Sequence, residues 1–163
     1  MSERLGSAGI ALPPGITPAG SGNAGQTKDV AWSILGHTYW LKAESEDCFV
    51  FETVDPPGTF VPPHIHPTQD EFIYVLEGTM DLYLAGAWTQ AGPGDLVRMP
   101  RGVPHAYYNR QDKPARALFW VTPARRLREL FDQLHELGDV EEVVRRSKIC
   151  EVDFLPPGSV PGA

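Results

Sequence analysis

Between Gly58 and Gly78 the chain reads Gly-Thr-Phe-Val-Pro-Pro-His-Ile-His-Pro-Thr-Gln-Asp-Glu-Phe-Ile-Tyr-Val-Leu-Glu-Gly. A β-strand turns alternate side chains to one face, so His64 and His66 point the same way, roughly 7 Å apart at the backbone. Pro67-Thr68-Gln69-Asp70 is turn chemistry. The chain then reverses into Glu71–Glu77, which is rich in strand formers. If the two strands pair, Glu71 returns to the two imidazoles. Two nitrogens and one oxygen converging from one sheet face suit a transition metal.

Composition fits short strands joined by tight turns. Glycine and proline number 16 each among 163 residues, a density foreign to a helical bundle. With 42% hydrophobic and 21% charged residues, the chain can bury one ordinary core. With a net charge of −7, nothing in the sequence resembles the basic stripe that a nucleic-acid reader needs. The sequence has no apolar run of the roughly 18 residues that a membrane span needs. No basic segment followed by an apolar one opens the chain, and Cys48 and Cys150 are isolated, as two reduced thiols would be. The expectation is a cytoplasmic protein without nucleic-acid or membrane partners.

Residues 1–29 are dominated by Gly, Ala, Ser, Pro and Thr and read as a flexible arm. From Val30 to Val121, short apolar runs alternate with turns every 8–12 residues, the pattern of an antiparallel β-barrel or jelly roll. The period then changes. Thr122 and Pro123 are placed as the cap and first residue of a helix, and Leu127, Leu130, Phe131, Leu134 and Leu137 form its apolar stripe. Gly138 stops it, and Asp139 with Glu142 resembles the capping box of a second helix through about Lys148. Residues 122–157 thus form one or two C-terminal helices and a tail, docked by Phe154 and Leu155 and then fraying. Of the remaining histidines, His37 reads as structural and His135 as a surface residue.

A second pattern is Gly94-Asp-Leu-Val-Arg-Met-Pro100-Arg-Gly102-Val-Pro-His105-Ala-Tyr-Tyr-Asn109. Tyr107 and Asn109 share the His105 face by the two-residue period. Gly58, His64, His66, Glu71 and Gly78 match the first motif of the cupin family, and Gly94, Pro100, Gly102, His105 and Asn109 match the second at every spacing. The chain therefore resembles a small single-domain cupin of the quercetin-dioxygenase-like kind.

The resemblance implies a cupin jelly roll, or double-stranded β-helix, over residues 30–121, with His64, His66, Glu71 and His105 around one divalent metal. Three imidazoles and a carboxylate leave positions open on iron, manganese, nickel, cobalt, zinc or copper, and affinity falls as the histidines protonate. It further implies a dioxygenase acting with O2 on a small aromatic, phenolic or enolic substrate, in which Glu71 doubles as a base. Tyr107 is a candidate hydrogen-bond donor to that substrate, with a plain core aromatic as its other reading. Non-redox isomerase, decarboxylase, cyclase or lyase chemistry and a non-catalytic binding cupin are the alternatives. Phe51, Ile73, Leu82, Met99 and Phe119 are candidate lining residues. A homodimer is expected, and Tyr74, Trp88 and Trp120 are candidates for its surface.

Overall fold

A computed structural model describes residues 13–22 and 29–163. Ten strands run in order: β1 (Ala31–Ile34), β2 (His37–Glu44), β3 (Phe49–Asp55), β4 (Phe60–Ile65), β5 (Asp70–Glu77), β6 (Met80–Leu84), β7 (Ala87–Ala91), β8 (Leu96–Met99), β9 (His105–Tyr108) and β10 (Ala115–Thr122). Helices α1 (Leu127–Leu134) and α2 (Val140–Ile149) follow, and β11 (Asp153–Phe154) is a last short strand.

The strands form two antiparallel sheets, ordered β1-β2-β3-β10-β5-β8 and β11-β4-β9-β6-β7. Their inner faces make the core. In β10 strict alternation buries Ala115, Ala117, Phe119 and Val121 and leaves the residues between them half-buried. This is the expected jelly roll with C-terminal helices. Gly78 shows how tightly its turns are set: φ is 77°, and a Cβ there would lie 2.8 Å from the Pro114 carbonyl oxygen.

The pairing of the opening stretch differs from the expectation. β4 and β5 do not form a hairpin; they lie in opposite sheets, β4 beside β9 and β5 between β10 and β8. The turn after His66 therefore crosses from one layer to the other, and Glu71 meets the histidines across the sandwich.

The first helix also starts later than expected. Thr122 ends β10, and α1 begins at Leu127 behind Arg126, which makes no side-chain cap. Pairing of Val121 and Thr122 with Glu71 and Asp70 holds this stretch in the sheet. Leu127, Leu130, Phe131 and Leu134 form the buried stripe, whereas Leu137 lies beyond the helix. Phe131 packs against Trp32, Tyr39, Phe49 and Phe51 at centroid separations of 4.9–5.6 Å, so α1 closes one end of the space between the sheets. Asp139 caps α2 by accepting from the Glu141 and Glu142 amides. The Glu142 side chain binds Arg145 and Arg146, so the capping box is one-sided.

Of the segment read as a flexible arm, residues 1–12 and 23–28 lie outside the described residues. Residues 13–22 run against the domain: Gly20 N–H donates to the Glu52 carboxylate at 3.1 Å, and Lys42 Nζ donates to Ser21 O at 2.9 Å. At the other end, β11 pairs Phe154 with His64, and the tail does not fray from there. Trp88 Nε1 donates to Pro161 O at 2.7 Å, Arg110 donates to Gly162 O, and Val160 is buried. Cys48 and Cys150 are free thiols. Among the described residues no helix is long and apolar enough to cross a membrane.

Candidate metal centre

His64 sits on β4 directly opposite His105 on β9. His66 follows β4 by one residue, and Glu71 enters from the facing sheet on β5. One ligating atom from each of the four lies within 4.8 Å of the others, and all four residues are buried. The ring centroids of His64 and His105 are 4.4 Å apart, and those of His66 and His105 are stacked at 5.4 Å.

The outer nitrogens of the rings fix the inner ones. His64 Nδ1 is 2.8 Å from Pro62 O, and His105 Nδ1 is 3.0 Å from Val103 O. A carbonyl only accepts, so both Nδ1 atoms carry the proton. His66 Nδ1 is 2.9 Å from Gln69 Oε1. Gln69 is oriented in turn, because its amide nitrogen donates to Pro123 O at 3.1 Å and Ala124 O at 2.8 Å. Its oxygen must then accept from His66. In its neutral form, the one that can ligate, a ring so held keeps a lone pair on Nε2.

Those lone pairs converge on a carboxylate. Glu71 Oε2 lies 2.9 Å from His105 Nε2 and 3.4 Å from His66 Nε2. Acceptors facing acceptors in a dry site repel unless a cation lies between them. Metal–nitrogen and metal–oxygen bonds of about 2.0–2.2 Å place opposed ligand atoms about 4–4.4 Å apart, close to the span of this cluster. The donor set therefore fits a divalent transition metal held by His64, His66, Glu71 and His105.

The electrostatics agree. Burial, and then the neighbouring His105 and His66, hold His64 well below the usual imidazole range, so it stays neutral and able to ligate. Burial raises the Glu71 carboxyl, but the three facing histidines, His66 first, outweigh it and bring the group to about 2, so the site favours positive charge beside the carboxylate. Adjacent Asp70 is turned away: it pairs with Arg101 at 2.8 Å on the surface, and hydrogen bonds from Arg101 hold it at about 2.

The cluster opens into a cavity of about 90 Å³ between the sheets. Tyr39, Phe51, Tyr107, Phe119, Leu130 and Phe131 contribute to its largely apolar wall. Phe51 and Phe119 line it as expected; Ile73, Leu82 and Met99 are buried in the core and do not line it. Tyr107 does face the cavity, with its hydroxyl 2.8 Å from that of Tyr39. Asn109 braces loops, donating to Asp55 O at 2.8 Å and Lys113 O at 2.7 Å. His37 also lines the cavity, but Asp55 and the Phe60 carbonyl occupy both its nitrogens. Sequence reading missed Gln69, whose signal is its place three residues after His66, and Tyr39, which carries no local signal.

The cupin-domain family model matches residues 51–121. This segment holds all four clustered ligands. The chain is 31% identical over 67 residues to the tetracenomycin polyketide synthase protein TcmJ of Streptomyces glaucescens, covering 41% of this chain and 45% of that protein. It is 39% identical over 67 residues to a germin-like protein of Arabidopsis thaliana, covering 36% of this chain and 29% of that protein. The matches thus span less than half the length of these curated relatives. Among solved structures, KdgF from a Halomonas species superposes with a TM-score of 0.54 at 22% identity, over 58% of this chain and 88% of that one.

Proposed function

We propose that this chain, whose fold is that of the cupins and whose residues 51–121 support a place in the cupin superfamily, is a metal-dependent dioxygenase. Its substrate is a small, uncharged aromatic, phenolic or enolic compound. The observation that carries the reading is the position of the three-histidine, one-glutamate cluster at the wall of a mostly apolar cavity. Such a wall binds a hydrophobic body and leaves few polar groups to orient it.

A divalent transition metal bound there would act as a Lewis acid for a substrate oxygen and leave a further position for O2. The protein's part is to bind and to move a proton. Glu71 is ionised throughout the neutral range and takes the enolic or phenolic proton. Its low pKa makes it a weak acceptor, so in this reading it holds that proton transiently and returns it. Tyr107 donates a hydrogen bond to the bound substrate. Phe51, Phe119 and Phe131 exclude water and hold the ring.

A non-redox isomerase, cyclase, decarboxylase or lyase is the second reading, favoured by the likeness to a polyketide synthase protein. The two separate on one experiment. Untagged protein with its metal measured by mass spectrometry is offered catechols, β-diketones and flavonols while O2 is followed. O2 uptake supports the dioxygenase; product without O2 uptake supports the second reading; binding with no product leaves a binding protein. The same reading carries a homodimer formed through the outer face of the larger sheet, where Tyr74 is exposed and Trp120 half-buried. A monomer by light scattering at micromolar concentration removes that pairing.

A further inference from the structure

The cavity contains a polar group that nothing in the protein fully uses. Tyr39 comes from β2 in the larger sheet and Tyr107 from β9 in the smaller, and their hydroxyls meet at 2.8 Å. Each is at most 5% exposed, and both line the cavity beside His64, His66 and Glu71. A phenol ordinarily gives up its proton only near pH 10, so each hydroxyl keeps its proton at neutral pH. Two hydroxyl protons are therefore present. One lies in the bond between the rings. The second has no acceptor among the described residues.

A buried donor without an acceptor costs about 1–3 kcal/mol, so such groups are normally satisfied by protein, water or ligand. The rings around the pair close the other directions. His37 stacks on Tyr39 at 5.6 Å and meets Tyr107 edge-on at 5.7 Å, but its own nitrogens are taken by Asp55 and Phe60 O. Phe51 and Phe131 flank Tyr39, and Phe119 flanks Tyr107. Only the cavity is left for the second proton.

We propose that the Tyr39–Tyr107 hydroxyl pair is a second recognition point, donating one hydrogen bond to an oxygen on the substrate's apolar body, apart from the oxygen that faces the metal cluster. The inference rests on the apolar-substrate reading above and deepens it. The substrate class becomes an aromatic or enolic compound with an additional carbonyl, hydroxyl or ether oxygen. Tyr39 and Tyr107 are then specificity-determining residues.

The test compares two catechols of the same size, 4-ethylcatechol and 3,4-dihydroxybenzyl alcohol, which differ by one methyl-to-hydroxyl exchange. Binding to zinc-loaded full-length protein is measured anaerobically by calorimetry, with zinc content checked in every sample. The discrimination ratio, alcohol over ethyl, is expected to fall about tenfold from wild type to the double variant Tyr39→Phe, Tyr107→Phe, the size of one lost hydrogen bond. Affinity for 4-ethylcatechol stays within about twofold. Each single variant keeps one hydroxyl whose proton is no longer oriented by its neighbour, and is expected to lose about threefold; these carry the test if the double variant does not fold. Ser147 is the control, since its buried hydroxyl also lines the cavity and has no hydrogen-bond partner. A wild-type ratio retained by the tyrosine variants, or a loss of the ratio in Ser147→Ala in their place, overturns the inference while leaving the metal site and apolar cavity intact. Wild-type protein that holds zinc but binds neither catechol overturns the substrate reading and this inference with it.

Discussion

Two buried histidine–carboxylate contacts lie on the wall of one cavity. In the first, His37 Nδ1 is 2.6 Å from Asp55 Oδ1, and Thr53 donates to the other Asp55 oxygen at 2.7 Å. The remaining His37 nitrogen is 3.2 Å from Phe60 O. Both His37 nitrogens lie beside acceptors and both Asp55 oxygens are held, so the group braces neighbouring strands. In the second, His105 Nε2 is 2.9 Å from Glu71 Oε2, and with its Nδ1 committed to Val103 O the neutral ring brings a lone pair to the carboxylate. Two more imidazoles, His64 and His66, crowd the same point. Burial and distance are nearly the same in the two groups. What separates them is the number of imidazoles: one meets Asp55, whereas three converge on Glu71.

Substitutions should divide along that line. The largest effect expected is His105→Ala: complete loss of bound metal with the fold retained, read by mass spectrometry and circular dichroism. His37→Ala should behave in the opposite way. Removing one partner of a buried pair costs about 3–5 kcal/mol, on the order of 10 °C in a chain this size, while metal stoichiometry holds; calorimetric melting checks it. Gln69→Leu sits between the two. It leaves His66 free to take the wrong tautomer, and metal affinity should fall roughly 10–100-fold, the usual cost of removing such a support, as measured by chelator competition.

The smallest effect concerns pH and sharpens the same contrast. His64 has its folded pKa below the unfolded value of about 6.5. Below that pH the unfolded chain binds the extra proton, so stability of metal-free protein falls as pH drops and is level above about 7.5. A loss of about 1.4 kcal/mol is expected for each pH unit below 6.5 from this one group. Urea unfolding at pH 7.5 and 5.5 checks the sign, and a protein more stable at pH 5.5 contradicts it.

Much of this was readable in one dimension. The spacing of His64, His66 and Glu71 was legible because strand alternation and turn chemistry are local properties, whereas His105 was joined to them by the resemblance of its motif to the cupins. Nearly all the strands were placed by the same rule. Layer assignment was not readable: alternation gives the faces of β4 and β5 but not which strands lie beside them, so a sandwich crossing looked like a hairpin. The α1 start was misplaced because Thr122 and Pro123 resemble a helix opening, while sheet pairing at Asp70 and Glu71 holds Thr122 extended. Tyr39 and Tyr107 are 68 residues apart, and only the facing of two sheets joins their hydroxyls. Gln69 was hidden by composition, since a glutamine between Thr68 and Asp70 looks like any turn residue.

The most direct measurement is metal stoichiometry by native mass spectrometry on untagged wild type, His37→Ala and His105→Ala prepared side by side. One divalent ion per chain in the wild type and in His37→Ala, and none in His105→Ala, is the predicted result. Metal retained by His105→Ala, or a wild-type protein that takes up no transition metal at neutral pH, would contradict it.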